Sequence, residues 1–160
     1  MVLSRGRISD SAVLLAGLWL LVGAGDARAQ GAGFQGGASL EPDQVYVGAH
    51  YETRAFAGQL HFRPAIEGGF GDNVRLAALN FEFLYKIPIG GSAWKFYQSS
   101  GPAVNIYRFD LGPGRDAQVD VRAGLVFSTG VQHENGFFTE LKVGTGNSPN
   151  LKFGVGWTIH

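Results

Sequence analysis

The segment Leu151 to Ile159 sets Leu151, Phe153, Val155, Trp157 and Ile159 against Lys152, Gly154, Gly156 and Thr158, one residue about. Successive side chains of an extended chain point to opposite sides, so this pattern makes a strand with one apolar and one polar face. The same rhythm fills Gln118–Gln132, where Val119, Val121, Ala123, Leu125, Phe127, Thr129 and Val131 oppose Asp120, Arg122, Gly124, Val126, Ser128, Gly130 and Gln132. In Val74–Ile87, Leu79, Phe81, Phe83 and Tyr85 oppose Asn80, Glu82 and Lys86. That run alone also admits a helix. Four further runs, roughly Gln44–Thr53, Leu60–Phe70, Trp94–Phe109 and Phe137–Gly144, leave little room for one. Between the runs lie clusters with turn chemistry, among them Gly71-Asp72-Asn73, Leu111-Gly112-Pro113-Gly114 and Glu134-Asn135-Gly136.

The first 29 residues stand apart. Arg5 and Arg7 form a basic start, Ala12 to Gly25 is apolar, and Ala27-Arg28-Ala29 fits a small-x-small cleavage site. This predicts a secretory signal peptide cut after Ala29, its apolar core shorter than the ~20 residues of a membrane-spanning helix. The expected organisation is a signal peptide over 1–29, a glycine-rich segment with a weak strand over 30–43, and a β domain over 44–160. Cysteine is absent, which removes disulfides, thiolate metal sites and cysteine nucleophiles. Without residues 1–29, 10 basic residues face 11 acidic ones, which argues against nucleic acid as a partner. Twenty-five glycines and 12 phenylalanines suit small barrels better than helices.

Two geometries use such strands. A soluble barrel turns its apolar face inward; an outer-membrane barrel turns it to lipid and lines the lumen with the polar one. Three features favour the second. The polar face carries Gly48, Gly124, Ser128, Gly130, Gly144, Gly154 and Gly156, as a cramped lumen requires. Tyr51, Phe70, Tyr85, Trp94 and Trp157 sit near stripe ends, where interfacial girdles form. The chain also begins with an export signal. The predicted fold is all-β, an antiparallel up-and-down transmembrane barrel located in the bacterial outer membrane. Seven visible runs break the even strand count of such barrels. A weak strand within Ala32–Leu40 restores it to eight.

Strand parity places Glu52, Arg63, Glu67, Glu82, Lys86, Lys95, Asp120, Arg122, Glu140, Lys142 and Lys152 inside. Six basic and five acidic residues in a small lumen predict an ion-pair network that plugs it. The same residues lining a narrow gated pore is the alternative.

With these residues in view, the chain resembles the eight-stranded outer-membrane barrels of the outer-membrane-protein-A and opacity-protein type. Lys152-Phe153-Gly154-Val155-Gly156-Trp157-Thr158-Ile159 matches the polar-x-Gly-x-x-apolar-x-apolar assembly signal of such barrels, carried by Lys152, Gly154, Trp157 and Ile159. The departure is His160, where the family usually ends on an aromatic residue. Trp94 to Asn105 is similar to a tryptophan-to-glycine-rich strand of opacity-like proteins. The resemblance implies outer-membrane lipid and lipopolysaccharide as surroundings and the barrel-assembly machinery as a partner in biogenesis. Relatives of this fold serve as adhesins, anchors and small pores, so the fold leaves the role open.

Catalysis has one candidate set, Ser128, His133 and Glu140, the residue types of an acyl-transfer triad. Two of them fall on the inward face and His133 at a turn. Their spacing does not reproduce the histidine-x-serine pattern of lipid A deacylase barrels, and a non-catalytic role is expected. His50, His61, His133 and His160 are scattered, and neither Gly69-Phe70-Gly71 nor Gly112-Pro113-Gly114 opens a phosphate-binding helix. No metal and no cofactor is expected. Asp72, Asp110 and Asp116 fall in proposed outer loops, where solvated charge is the plainer reading than divalent-cation binding. A structural or surface-interaction role in the envelope fits best. An enzyme acting on lipid A and a soluble periplasmic barrel holding an apolar ligand are the other readings.

Overall fold

The computed structural model describes residues 31–72, 74–110, 116–146 and 148–159. The expected signal peptide and its cleavage site lie outside these residues, as do Leu111 to Arg115 and His160. Eight strands follow one another: β1 (Gly31–Leu40), β2 (Gln44–Glu52), β3 (Leu60–Phe70), β4 (Val74–Pro88), β5 (Trp94–Phe109), β6 (Gln118–His133), β7 (Phe137–Thr145) and β8 (Leu151–Ile159). Each pairs antiparallel with its sequence neighbour, and β1 pairs with β8 to close the barrel. The weak strand expected in Ala32–Leu40 is a full ten-residue strand. The barrel therefore begins at Gly31 and not at residue 44. Gly31–Leu40 offers few large apolar side chains, and its pattern is correspondingly faint. Its backbone is instead held on both sides, by β2 and by β8.

The apolar alternation faces outward. Val121, Phe34 and Val47 are more than half exposed, whereas Glu82, Arg63 and Lys142 are at most 1% exposed. This is the inverse of a water-soluble barrel, whose apolar side chains fill the inside; here the inward apolar residues form two small clusters, Leu76 with Ala78 and Tyr107, and Leu84 with Tyr97 and Phe138. The outward aromatics Tyr85, Trp94, Phe137 and Trp157 gather toward the end that holds both chain termini. Trp94, Phe137 and Trp157 form an edge-to-face chain there, with ring centroids 6.4 and 6.0 Å apart.

Strand lengths differ by side. β1, β2, β7 and β8 have 9 or 10 residues, whereas β4, β5 and β6 have 15 or 16. At about 3.3 Å per residue and a tilt near 40°, the short strands rise roughly 23 Å and the long ones roughly 40 Å. The last rung between β6 and β7 joins Leu125 to Thr145, so Gln118–Gly124 continue past it. β4, β5 and β6 thus form a tall wall at the end away from the termini.

Short turns close the opposite end. Gly58 and Gly136 take positive φ values of 63° and 95°, conformations that favour glycine. Asn135 Oδ1 accepts the backbone N–H of Phe137 at 3.0 Å, completing the β6–β7 turn.

Candidate functional site

The lumen is the site, and its middle is the most heavily bonded part of the molecule. Strands β3 and β7 lie four places apart in a ring of eight, so they face each other across the barrel axis. Arg63 on β3 reaches Glu140 on β7, Nη2 to Oε2 2.7 Å. Lys142 on β7 reaches back to Glu67 on β3 at 3.1 Å and to Glu82 on β4 at 2.8 Å, and lies 3.4 Å from Glu140. Arg63 also lies 3.4 Å from Glu82, and Lys152 on β8 pairs with Glu67 at 2.5 Å. Three cations and three carboxylates balance within a layer almost wholly withdrawn from solvent.

Neutral donors complete the layer. Gln35 on β1 donates to Glu67 Oε1 at 2.7 Å, and Tyr97 on β5 donates to Glu140 Oε2 at 3.0 Å. The hydroxyl of Ser99 on β5 donates to Glu82 Oε2 at 2.5 Å, and that of Ser128 on β6 at 3.3 Å. Tyr46 on β2 lies under the Lys152 ammonium, 4.9 Å from ring centroid to Nζ. All eight strands contribute a side chain. A buried charge is tolerated when paired, and every charge of this set has an ion-pair partner, with contacts that span the diameter; Arg63 Nε and Glu140 Oε1 have no hydrogen-bond partner.

Glycines make the crossing possible. A Cβ on Gly130 would lie 2.6 Å from the Tyr97 ring, and one on Gly154 would collide with the Tyr46 hydroxyl. These two inward glycines give up their own volume to aromatic side chains of strands one or two places away.

A second polar group closes the end that holds the termini. Lys86 Nζ contacts Glu52 on β2 and Gln132 on β6, the latter at 2.5 Å. Strands β2 and β6 are again diametrically opposed, so Lys86 ties two facing walls. His50 bonds Thr158 at 3.0 Å, and His61 sits 3.5 Å from Glu52. Outside this closure a vestibule of about 250 Å³ is lined by Thr53, Arg54, His61, Lys95 and His133 among others.

The eleven lumen residues predicted from parity thus fall into separate groups. Arg63, Glu67, Glu82, Glu140, Lys142 and Lys152 form the central layer, and Glu52 with Lys86 forms the closure below it. Lys95 is exposed at the mouth and belongs to neither. Asp120 and Arg122 pair with each other at 2.7 Å on the tall wall, each side chain more than a third exposed. These three do not join the network, because inward parity continues past the point where facing walls exist. Parity arguments also pass over Gln35, Tyr97 and Ser99. Each lies at an inward position of its strand, the only signal that could have found it.

The acyl-transfer candidates are not brought together. Ser128 bonds Ser99 at 2.5 Å as well as Glu82, and Glu140 is held by Arg63 and Tyr97. His133 packs at the barrel mouth against Trp94, ring centroids 4.9 Å apart. Of the assembly-signal residues, Trp157 and Ile159 face outward, while Lys152 and Gly154 line the lumen.

No protein-family model matches the chain, and no curated protein matches it in sequence. Among solved structures, it is similar to the N-terminal β-barrel domain of Pseudomonas aeruginosa OprF. That match has 14% identity over 81% of this chain and 96% of that one, with TM-score 0.62. It is also similar to Neisserial surface protein A, at 13% identity over 81% and 94% with TM-score 0.64. A third similar structure is the outer membrane enzyme PagL, at 11% identity over 82% and 99% with TM-score 0.51. At these identities the likeness establishes the closed eight-stranded fold of small outer-membrane barrels and nothing finer.

Proposed function

We propose that this chain is an exported bacterial outer-membrane barrel with a structural or surface-interaction role, its lumen sealed by ion pairs and carrying no catalytic centre. The observation that carries this reading is the diametric crossing of the lumen by Arg63–Glu140 and Lys142–Glu67. A pore would keep opposing walls apart around water, whereas these walls are joined at the centre and again at Lys86. The outward apolar belt supports lipid as the surrounding medium, an apolar band being what such barrels present to the membrane. Outer-membrane lipid and lipopolysaccharide are then the neighbours, and Lys152, Gly154, Trp157 and Ile159 the signal read by the barrel-assembly machinery. The separation of His133 from Ser128 supports a role without acyl transfer.

Cell fractionation followed by gel migration with and without boiling tests the membrane barrel. The expected result is recovery in the outer membrane and faster migration of the unboiled protein. Recovery as a soluble periplasmic protein would overturn it. In planar bilayers the purified barrel is expected to show no discrete conductance steps, and steady single-channel steps would overturn the sealed lumen.

A further inference from the structure

Across the outward-facing positions of all eight strands, Lys, Arg, Asp and Glu occur twice, as Arg75 on β4 and Arg108 on β5. These two residues are directly opposite each other in the β4–β5 ladder. Both are exposed, and neither makes an ion pair among the described residues. Side chains opposite one another on a sheet have Cβ atoms about 5 Å apart, and like charges so placed repel. Among the described strand positions this is the one height of the outer surface at which like charges stand opposite each other.

That height is the upper border of the apolar belt. Below Arg75, the outward residues of β4 are Ala77, Leu79, Phe81, Phe83, Tyr85 and Ile87. Below Arg108, those of β5 run from Ile106 and Val104 down to Trp94 without a charge. The rung extends sideways to Phe70 on β3 and Val119 on β6. Two guanidinium groups therefore sit side by side at the head of an apolar track.

We propose that Arg75 and Arg108 form a clamp for the phosphate of a phosphorylated membrane lipid, whose acyl chains lie along Ala77, Leu79, Val104 and Ile106. A guanidinium offers parallel N–H donors that match phosphate oxygens, and two of them converge naturally on one phosphate. The anion cancels the repulsion that the bare pair carries. The apolar track places a diacyl or multi-acyl chain below the headgroup in register with it. This inference rests on the membrane reading above, since without a bilayer the track would face water.

The test uses the whole chain folded in detergent and exchanged with lipid A bearing both phosphates or with its dephosphorylated form, with retained lipid counted by native mass spectrometry. Faster migration of the unboiled protein is confirmed first. A protein that does not give a folded, detergent-embedded barrel rejects the membrane reading, whereas a folded barrel without lipid preference rejects only the clamp. The wild type is expected to retain the phosphorylated form about thirtyfold better, the effect of two arginines at an anionic surface. Arg75→Gln with Arg108→Gln is expected to remove that preference while leaving the unboiled migration unchanged, since neither side chain holds the fold. Arg75→Lys with Arg108→Lys retains most of it. Equal retention of both lipids by the wild type, or an unchanged preference in the double glutamine variant, would overturn the clamp.

Discussion

On β4, β5 and β6 the inward residues Glu82, Ser99 and Ser128 sit in the ion-paired layer, whereas higher on β4 and β5 Leu76, Ala78 and Tyr107 pack together as an apolar cluster. Val74 and Phe109 extend that cluster, and Phe109 stacks on Tyr107 with centroids 6.0 Å apart. The lower region is enclosed by eight walls and holds six charges. The upper region has the tall wall on one side, is covered at its base by Ser148, which accepts from Asn105 at 3.0 Å, and holds one partly exposed pair, Asp120–Arg122. Where walls surround the space, each charged group has a protein counter-charge, and the contacts reach across the axis, although Arg63 Nε and the Tyr46 hydroxyl are left without a hydrogen-bond partner. Where the wall stands alone, water satisfies the charges, and packing along one sheet is enough. Enclosure, more than residue type, decides what each inward side chain is worth.

The largest expected effect breaks the enclosed layer. Lys142→Met keeps the volume but leaves Glu67, Glu82 and Glu140 to share Arg63 and Lys152. Removing one partner of a buried pair costs about 3–5 kcal/mol, expected as a lowered urea midpoint for the barrel folded in detergent. A loss under about 1 kcal/mol would show that water reaches the layer, and the contrast between the two regions would fail. A smaller effect is expected from Tyr107→Ala on the wall, about 2–3 kcal/mol. That lies at or below the usual cost of truncating a buried aromatic, because one side is open to relax. Were Tyr107→Ala to cost more than Lys142→Met, the wall and not the ion-paired layer would hold the barrel. The smallest belongs to Arg122→Gln, which removes an exposed pair and the cation–π contact to Tyr107 at 5.2 Å. Under 1 kcal/mol is expected on the same urea titration. A loss comparable to Lys142→Met would mean that the upper space is also closed.

The strands with bulky outward residues were plain in the sequence. Leu151–Ile159 is bounded as the alternation predicts, because each outward position carries a large side chain. Gly31–Leu40 was faint for the opposite reason: its place is set by backbone pairing on two sides, which composition does not record. The lumen shows a different limit. Period two assigns a face but no height along the axis, and in tilted strands of unequal length height decides who meets whom. Lys95 and Lys86 share an end of the barrel, yet one projects at the mouth and the other ties β2 to β6. Asp120 and Glu82 both face inward, yet only Glu82 stands opposite another wall. The pairing of β3 with β7 across the axis needs the strand count and the closure. Neither is a local property of the chain.

Seven of the eight seams of the barrel join strands that are neighbours in sequence, and the eighth joins Ala32 to Ile159. The seven can zip up as successive hairpins, each closing a short loop, whereas the last must bring together the two extremes of the described chain at a larger entropic cost. Until it forms, the sheet has two open edges, and open edges invite pairing with other chains. One of those edges is β1, whose four glycines and two alanines specify its register only weakly. Its own register is supported by Gln35 reaching over β2 to Glu67 on β3. The faintest strand in the sequence is thus also the one whose place depends most on the partners it meets when the barrel closes, β2 and β8 beside it and Glu67 on β3.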